Sequence, residues 1–94
     1  MIIQIDTNQL FNLFKADSFN ILELKINEQP PSFVEYYLSE FLKDKKEDQV
    51  YLNKSNVQNS FCFNNFNFFL DYDNNLFIEN TNIYTNGDEP TLFL

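Results

Sequence analysis

Four residues near the middle of the second half fall at a spacing with chemical meaning. Asp71, Asp73 and Asn75 read D-x-D-x-N, the order in which the first three ligands of a calcium loop occur, and Glu79 follows. The rest of that loop is absent. Its sixth position, which needs glycine for a sharp turn, is Leu76, and its twelfth, which needs a bidentate glutamate, is Asn82. The flanks alternate like strands, so a plain β-turn is expected and no metal site. Cys62 is the one thiol. It lies between Phe61 and Phe63 with no cation beside it to lower its pKa, so a structural cysteine is expected. Lys43, Lys45 and Lys46 form a short cationic run. Asp44, Glu47 and Asp48 largely neutralise it, and it suits the C-terminal end of a helix better than a phosphate.

Other chemistry is excluded by what the chain lacks. It has no His, so Cys–His and Ser–His–Asp nucleophile systems cannot be assembled, and neither can a His-ligated zinc site. One Gly, Gly87, cannot build a phosphate loop. A carboxylate pair remains able to run glycoside hydrolysis, but 94 residues leave little room for the cleft it needs. A non-enzyme without cofactor or metal is therefore expected.

Charge carries the strongest bias. Fourteen Asp and Glu stand against six Lys and no Arg, a net charge of −8. Direct nucleic-acid binding and attachment to an anionic membrane both need an excess of cations, and six Lys cannot outweigh fourteen carboxylates. No apolar run approaches the eighteen or so residues of a membrane span. The opening residues show neither the basic region nor the cleavage site of a signal peptide, so a cytoplasmic location is expected, and a lone Cys agrees with it. Twelve Phe, five Tyr, eleven Leu and seven Ile are enough to fill a core, which excludes disorder. Asn is abundant, at fifteen residues, together with Ile and Phe, while Lys is scarce. Codon bias would raise all four, so the acidity reads as selected.

The carboxylates are unevenly placed. From Ser55 to Leu94 there is no cation, and five acids stand there: Asp71, Asp73, Glu79, Asp88 and Glu89. They gather near two predicted turns. Such a field speeds association with a basic protein and sets its orientation more than it raises affinity. Exposed aromatics supply the anchoring that charge alone does not, and Tyr72 and Tyr84 are placed to do so. The expected partner surface is therefore Asp71, Tyr72, Asp73, Glu79, Tyr84, Asp88 and Glu89.

The elements that must position these residues follow from periodicity. Met1–Ile5 reads as a strand. Asp6 with Gln9 three residues on is a helix start, and Leu10, Phe11, Leu13 and Phe14 continue a helix over Thr7–Lys15. Leu22, Leu24 and Ile26 alternate with polar residues, which predicts a strand over Phe19–Asn27. Ser32 and Glu35 make a capping box for a helix from Phe33 to about Lys46. On it Tyr37 falls on the apolar stripe and Tyr36 beside it. Gln49–Asn53 reads as a short strand, Lys54–Ser60 as loop and Phe61–Tyr72 as a Phe-rich strand. Asp73-Asn74-Asn75 is a turn, Leu76–Ile83 a further strand, Asn86-Gly87 a second turn signal, and Thr91–Leu94 a closing edge strand. The order is β-α-β-α-β-β-β-β in one domain spanning residues 1–94. The class is α+β, with two helices on one face of a mostly antiparallel sheet.

A small, strongly acidic, Phe- and Asn-rich α+β domain of this layout resembles bacterial immunity proteins. These neutralise polymorphic toxins, including those of contact-dependent growth inhibition systems. The resemblance implies a toxin domain as partner, often a basic nuclease, whose cationic groove the carboxylates would occupy. Two other classes fit the same composition. One is a phage anti-defence protein of the anti-CRISPR kind, acting as a nucleic-acid mimic on a defence-complex subunit. The other is a small acidic secretion chaperone, which predicts a dimer with an apolar groove. Oligomeric state stays open at this point.

Without His, no side chain with an ordinary pKa titrates between about pH 6 and 8. Thermal melts across that range should give an unchanged midpoint. A steep drift would reveal a buried carboxylate with a raised pKa and would reopen an enzymatic reading.

Overall fold

A computed structural model describes residues 1–81. The elements run β1 (Ile2–Ile5), α1 (Thr7–Phe14), α2 (Phe19–Glu28), α3 (Pro31–Lys43), a 3₁₀ turn over Lys54–Asn56, then β2 (Val57–Phe63), β3 (Phe66–Asp71) and β4 (Leu76–Asn80). The four strands form one antiparallel sheet in the order β1-β4-β3-β2. The class is α+β, as the sequence predicts.

Register decides which side chains meet. Ile3 pairs with Ile78, Ile78 with Phe68, and Phe68 with Phe61. Ile5, Leu76 and Leu70 form the next such row, and Phe66 and Phe63 pair farther along. Strand side chains alternate, so these residues share one face. That face packs against Leu10 and Phe14 of α1, Phe19, Leu22 and Ile26 of α2, and Val34, Leu38 and Leu42 of α3. Phe61 lies between Phe19 and Phe68, with ring centroids 5.0 Å and 4.5 Å away, in the tilted and offset-stacked ranges that aromatic pairs favour.

The predicted strand over Phe19–Asn27 is a helix. Leu22, Leu24 and Ile26 fit a period of two, but Phe19, Leu22 and Ile26 fit a period of 3.6 equally well, and these three are the residues buried. Leu24 is left 56% exposed. The Ser18 hydroxyl accepts the Ile21 N–H and starts the helix. Three helices, not two, therefore cover the sheet. The capping box at Ser32 and Glu35 does not form. The fixed φ of proline starts α3 earlier, with Pro30 at the cap and Pro31 in the first turn, and the helix ends at Lys43. The expected strand at Gln49–Asn53 reduces to a single bridge between Gln49 and Ile3. Of the expected loop over Lys54–Ser60, residues 54–56 form the 3₁₀ turn and residues 57–60 already belong to β2. The long Phe-rich run is two strands, broken at Asn64-Asn65, where Asn64 takes the left-handed conformation (φ 49°) that Asn tolerates. The expected Asn86-Gly87 turn, the Thr91–Leu94 strand and the end of the Leu76–Ile83 strand lie outside the described residues.

The face away from the helices is covered differently. Phe77 and Leu52 are buried but stand apart from the main core. The chain leaving α3 joins the β1 edge, where the Val50 N–H donates to the Ile2 carbonyl at 2.9 Å. It then crosses to β2 at the opposite edge. On the way the Lys54 ammonium sits 4.7 Å over the Phe69 ring, and Phe69 points away from the helices. Residues 49–56 thus strap the outer face of the sheet.

Leu22 and Leu24 separate the helical from the extended reading of residues 19–28. Leu22→Ala should cost about 2–5 kcal/mol, as a fully buried leucine does. Leu24→Ala should stay within about 0.5 kcal/mol. Urea unfolding of both variants checks this, and a strand would make the two costs similar.

Candidate functional site

The β3–β4 turn holds three of the expected partner residues, and they do different things. Asp71 ends β3 and is only 5% exposed. Its Oδ1 accepts the N–H of Asp73 at 2.9 Å and that of Asn75 at 2.8 Å, and its Oδ2 accepts the Asn75 side-chain amide at 3.1 Å. Its backbone is also engaged, with N–H to the Asn75 carbonyl and C=O to the Gln58 amide and the Asn74 N–H. Between Asp73 and Asn75, Asn74 sits at φ 64°. Burial pushes the Asp71 carboxyl upward, but the donors from Asn75 and Asp73 outweigh it and hold the group below its ordinary value.

Asp71 is therefore corrected from an exposed docking acid to the centre of a turn. The D-x-D-x-N pattern has the same explanation. The first carboxylate receives amide donors, which is what an Asx-type turn requires. Among the described residues no group of three or more carboxylates or thiols is arranged to hold a metal ion.

Tyr72 and Asp73 stand exposed at the tip of the turn. Glu79 lies on the outer face of β4, partly buried, and accepts the Asn67 side-chain amide from β3 at 3.1 Å. It lies toward the end of β4 away from the turn. Tyr84, Asp88 and Glu89 lie outside the described residues. Cys62 is exposed, not half-buried between its Phe neighbours, because alternation turns it to the face opposite Phe61 and Phe63.

A second surface was only partly legible in sequence. On α3 the buried stripe is Val34, Leu38 and Leu42, four residues apart. Phe33, Tyr36, Tyr37 and Glu40 follow the i, i+3, i+4, i+7 pattern on another side of the same helix. Phe33 and Tyr37 stack at 4.5 Å, and Tyr36 meets Tyr37 edge-on at 5.9 Å. Tyr36 is exposed, as its place beside the stripe predicts. Tyr37, expected in the core, is 39% exposed. Its ring is drawn to Phe33 one turn back and not into the sheet.

Phe33 and Tyr37, though not Tyr36, border a cleft of about 330 Å³ whose other lining residues are Leu13, Phe14, Lys15 and Gln29. Lys15 ends α1 in the left-handed conformation (φ 57°), which favours glycine and costs a lysine about 1 kcal/mol. That conformation places a cationic residue at the cleft. The cleft is fit to take an apolar side chain against the rings, with a carbonyl or carboxylate on Lys15. It carries no pair of facing carboxylates. Comparison of the chain with protein-family models, curated proteins and solved structures gave no match.

The Asp71 turn sets a pH prediction. A carboxyl held below its unfolded value contributes stability that is complete above the unfolded pKa, near ~3.9. That contribution is lost as pH falls through the folded pKa. Asp71→Ala should cost about 2 kcal/mol at pH 7, the range for hydrogen bonds to a charged acceptor, and Asp71→Asn less. Both variants should converge on the parent below the folded pKa. Chemical unfolding at pH 7 and over a descending acid series tests this, and a gap that stays unchanged throughout the series would show that the charge is not what matters.

Proposed function

We propose that this chain is a non-catalytic binding protein that neutralises a basic protein partner, as immunity proteins do toxins. We further propose that it docks through the aromatic face of α3. The exposed stack of Phe33, Tyr36 and Tyr37 beside a cleft carries the reading. Burial of the core does not require these rings, since Val34, Leu38 and Leu42 already fill that role for α3. Exposed tyrosines held by contacts with neighbouring rings are typical anchors of protein interfaces, because they offer a large area at little conformational cost.

The electrostatics fit the same side of the molecule. Glu40 shares the aromatic side of α3, Glu28 precedes it at the end of α2, and both are exposed. Glu28 and Glu40 suit a partner rich in Lys and Arg, whose cations pair with the acids and also lie over the rings, while Lys15 in the adjoining cleft takes a carbonyl of that partner. The acidic hairpin supports this reading less than the sequence suggests, because Asp71 is spent within its turn. Tyr72 and Asp73 form a secondary contact at the turn tip.

The test is capture of a partner by tagged protein from the native host, read for identity and stoichiometry. A basic protein recovered near one to one is expected, with growth restored when the two are co-expressed. Tyr36→Ala with Tyr37→Ala should weaken binding at least about tenfold, as loss of interface anchors does. Glu40→Lys should slow association and reduce its salt dependence. Capture that is indifferent to all three substitutions and to salt would overturn the reading.

A further inference from the structure

The longest uncharged stretch of the chain runs from Ser55 to Leu70, sixteen residues in a protein of net charge −8. It forms the β2–β3 hairpin and the approach to it. Strand β2 is the outer strand at its end of the sheet. At the other end, β1 is partly covered by Gln49 and Val50. At β2, among the described residues, no backbone hydrogen bond from another element reaches the outward edge.

Exposed edges are normally blunted by Lys, Pro or inward charge. β2 reads Val-Gln-Asn-Ser-Phe-Cys-Phe and contains none of these. Its one irregularity is at Val57–Asn59, so the segment from Asn59 to Phe63 stays regular.

We propose that the β2 edge is a self-association surface, on which a second copy of this chain adds its own β2 antiparallel and extends the sheet from four strands to eight. Charge selects the occupant. A basic partner steered by carboxylates finds none on this edge. Two identical acidic bodies, by contrast, can touch at low cost only where their surfaces are uncharged. Beyond a Debye length of about 8 Å their mutual repulsion is screened at physiological salt, so charge at the contact itself decides.

The strand is also self-complementary about Phe61. Small exposed Ser60 and Cys62 flank it on the outer face. A two-fold pairing centred on Phe61 sets Ser60 opposite the mate's Cys62, Asn59 opposite Phe63, and keeps the helices of both copies on one side of the sheet. The α3 aromatic face takes no part in this pairing.

Light scattering and sedimentation of the purified full chain test the proposal over a concentration series at low and physiological salt. The expected mass approaches twice 11.3 kDa. Association should strengthen as salt rises, the reverse of docking on a basic partner. Ser60→Lys with Cys62→Lys should leave a monomer of unchanged circular dichroism. These substitutions reduce the net negative charge, so loss of the dimer would come from the edge. Ser60→Cys should give a covalent dimer with the native Cys62 of the mate on mild oxidation. The double-lysine variant should still capture the partner, which separates this proposal from the functional one. A parent chain that stays monomeric at both salts overturns it, and so does a dimer that persists in the double-lysine variant.

Discussion

The register of β3 against β4 is the constraint on which the rest of the structure depends. Phe66, Phe68 and Leu70 face the helices, and Asn67, Phe69 and Asp71 face away. A slip of one residue would exchange these sets, driving Asn67 into the core and Phe68 to the outer face. Two locks hold the register. At one end, Asp71 gathers the amides of Asp73 and Asn75 into a fixed turn. At the other, the Thr81 N–H and hydroxyl both donate to the Asn65 carbonyl, tying the end of β4 to the β2–β3 turn. The Asp71 turn is itself held from outside. The Gln4 side chain donates to Asn75, and the Tyr72 N–H donates to the Asn56 carbonyl. The strand before the turn, the strap and the sheet are thus set by one polar cluster.

This arrangement explains why an acidic protein buries one carboxylate among the described residues. Burial of an ionised group is costly unless its acceptors are filled. Asp71 faces three amide donors and no cation partner, so the turn itself supplies the compensation. Asn is used for the same purpose. Asn64 and Asn74 occupy the two left-handed turn positions that in a chain with one glycine must be filled by something else. Asn67, Asn75 and Asn53 supply side-chain hydrogen bonds. Much of the Asn excess is structural.

The sequence made the class, β1, α1 and the β3–β4 turn legible, because each rests on a local signal: an apolar run, an aspartate cap and an Asx turn. It misled over residues 19–28, where Leu22 and Ile26 satisfy both periods and only burial chooses between them. It also hid the Asn64-Asn65 break, since Phe residues on both sides continue the apolar run. The exposure of Asp71 was misjudged for a related reason. Charge can be counted along a chain, but exposure cannot. Counting put weight on Asp71, which is buried, while the α3 rings pass for core residues until the helix is seen to bury a different stripe.

The fold separates two kinds of surface that a uniformly acidic chain would blur. Residues 6–48, the helices with their connections and the run after α3, carry fourteen of the eighteen charged residues of the described chain, with the aromatic stack among them. The β2–β3 hairpin carries none until Asp71. Screening acts on these surfaces in opposite senses: it weakens attraction to a basic partner and relieves repulsion between copies. A neutral edge strand would be an aggregation risk in a neutral protein. On the proposed self-association, the charge carried elsewhere would keep the molecules apart until two hairpins are aligned, so the net charge of −8 would act as a filter on which contacts form. On the two proposals together, acidity is more than a means of staying dissolved, because it would leave the uncharged edge and the aromatic face of α3 as separate places for another chain to bind.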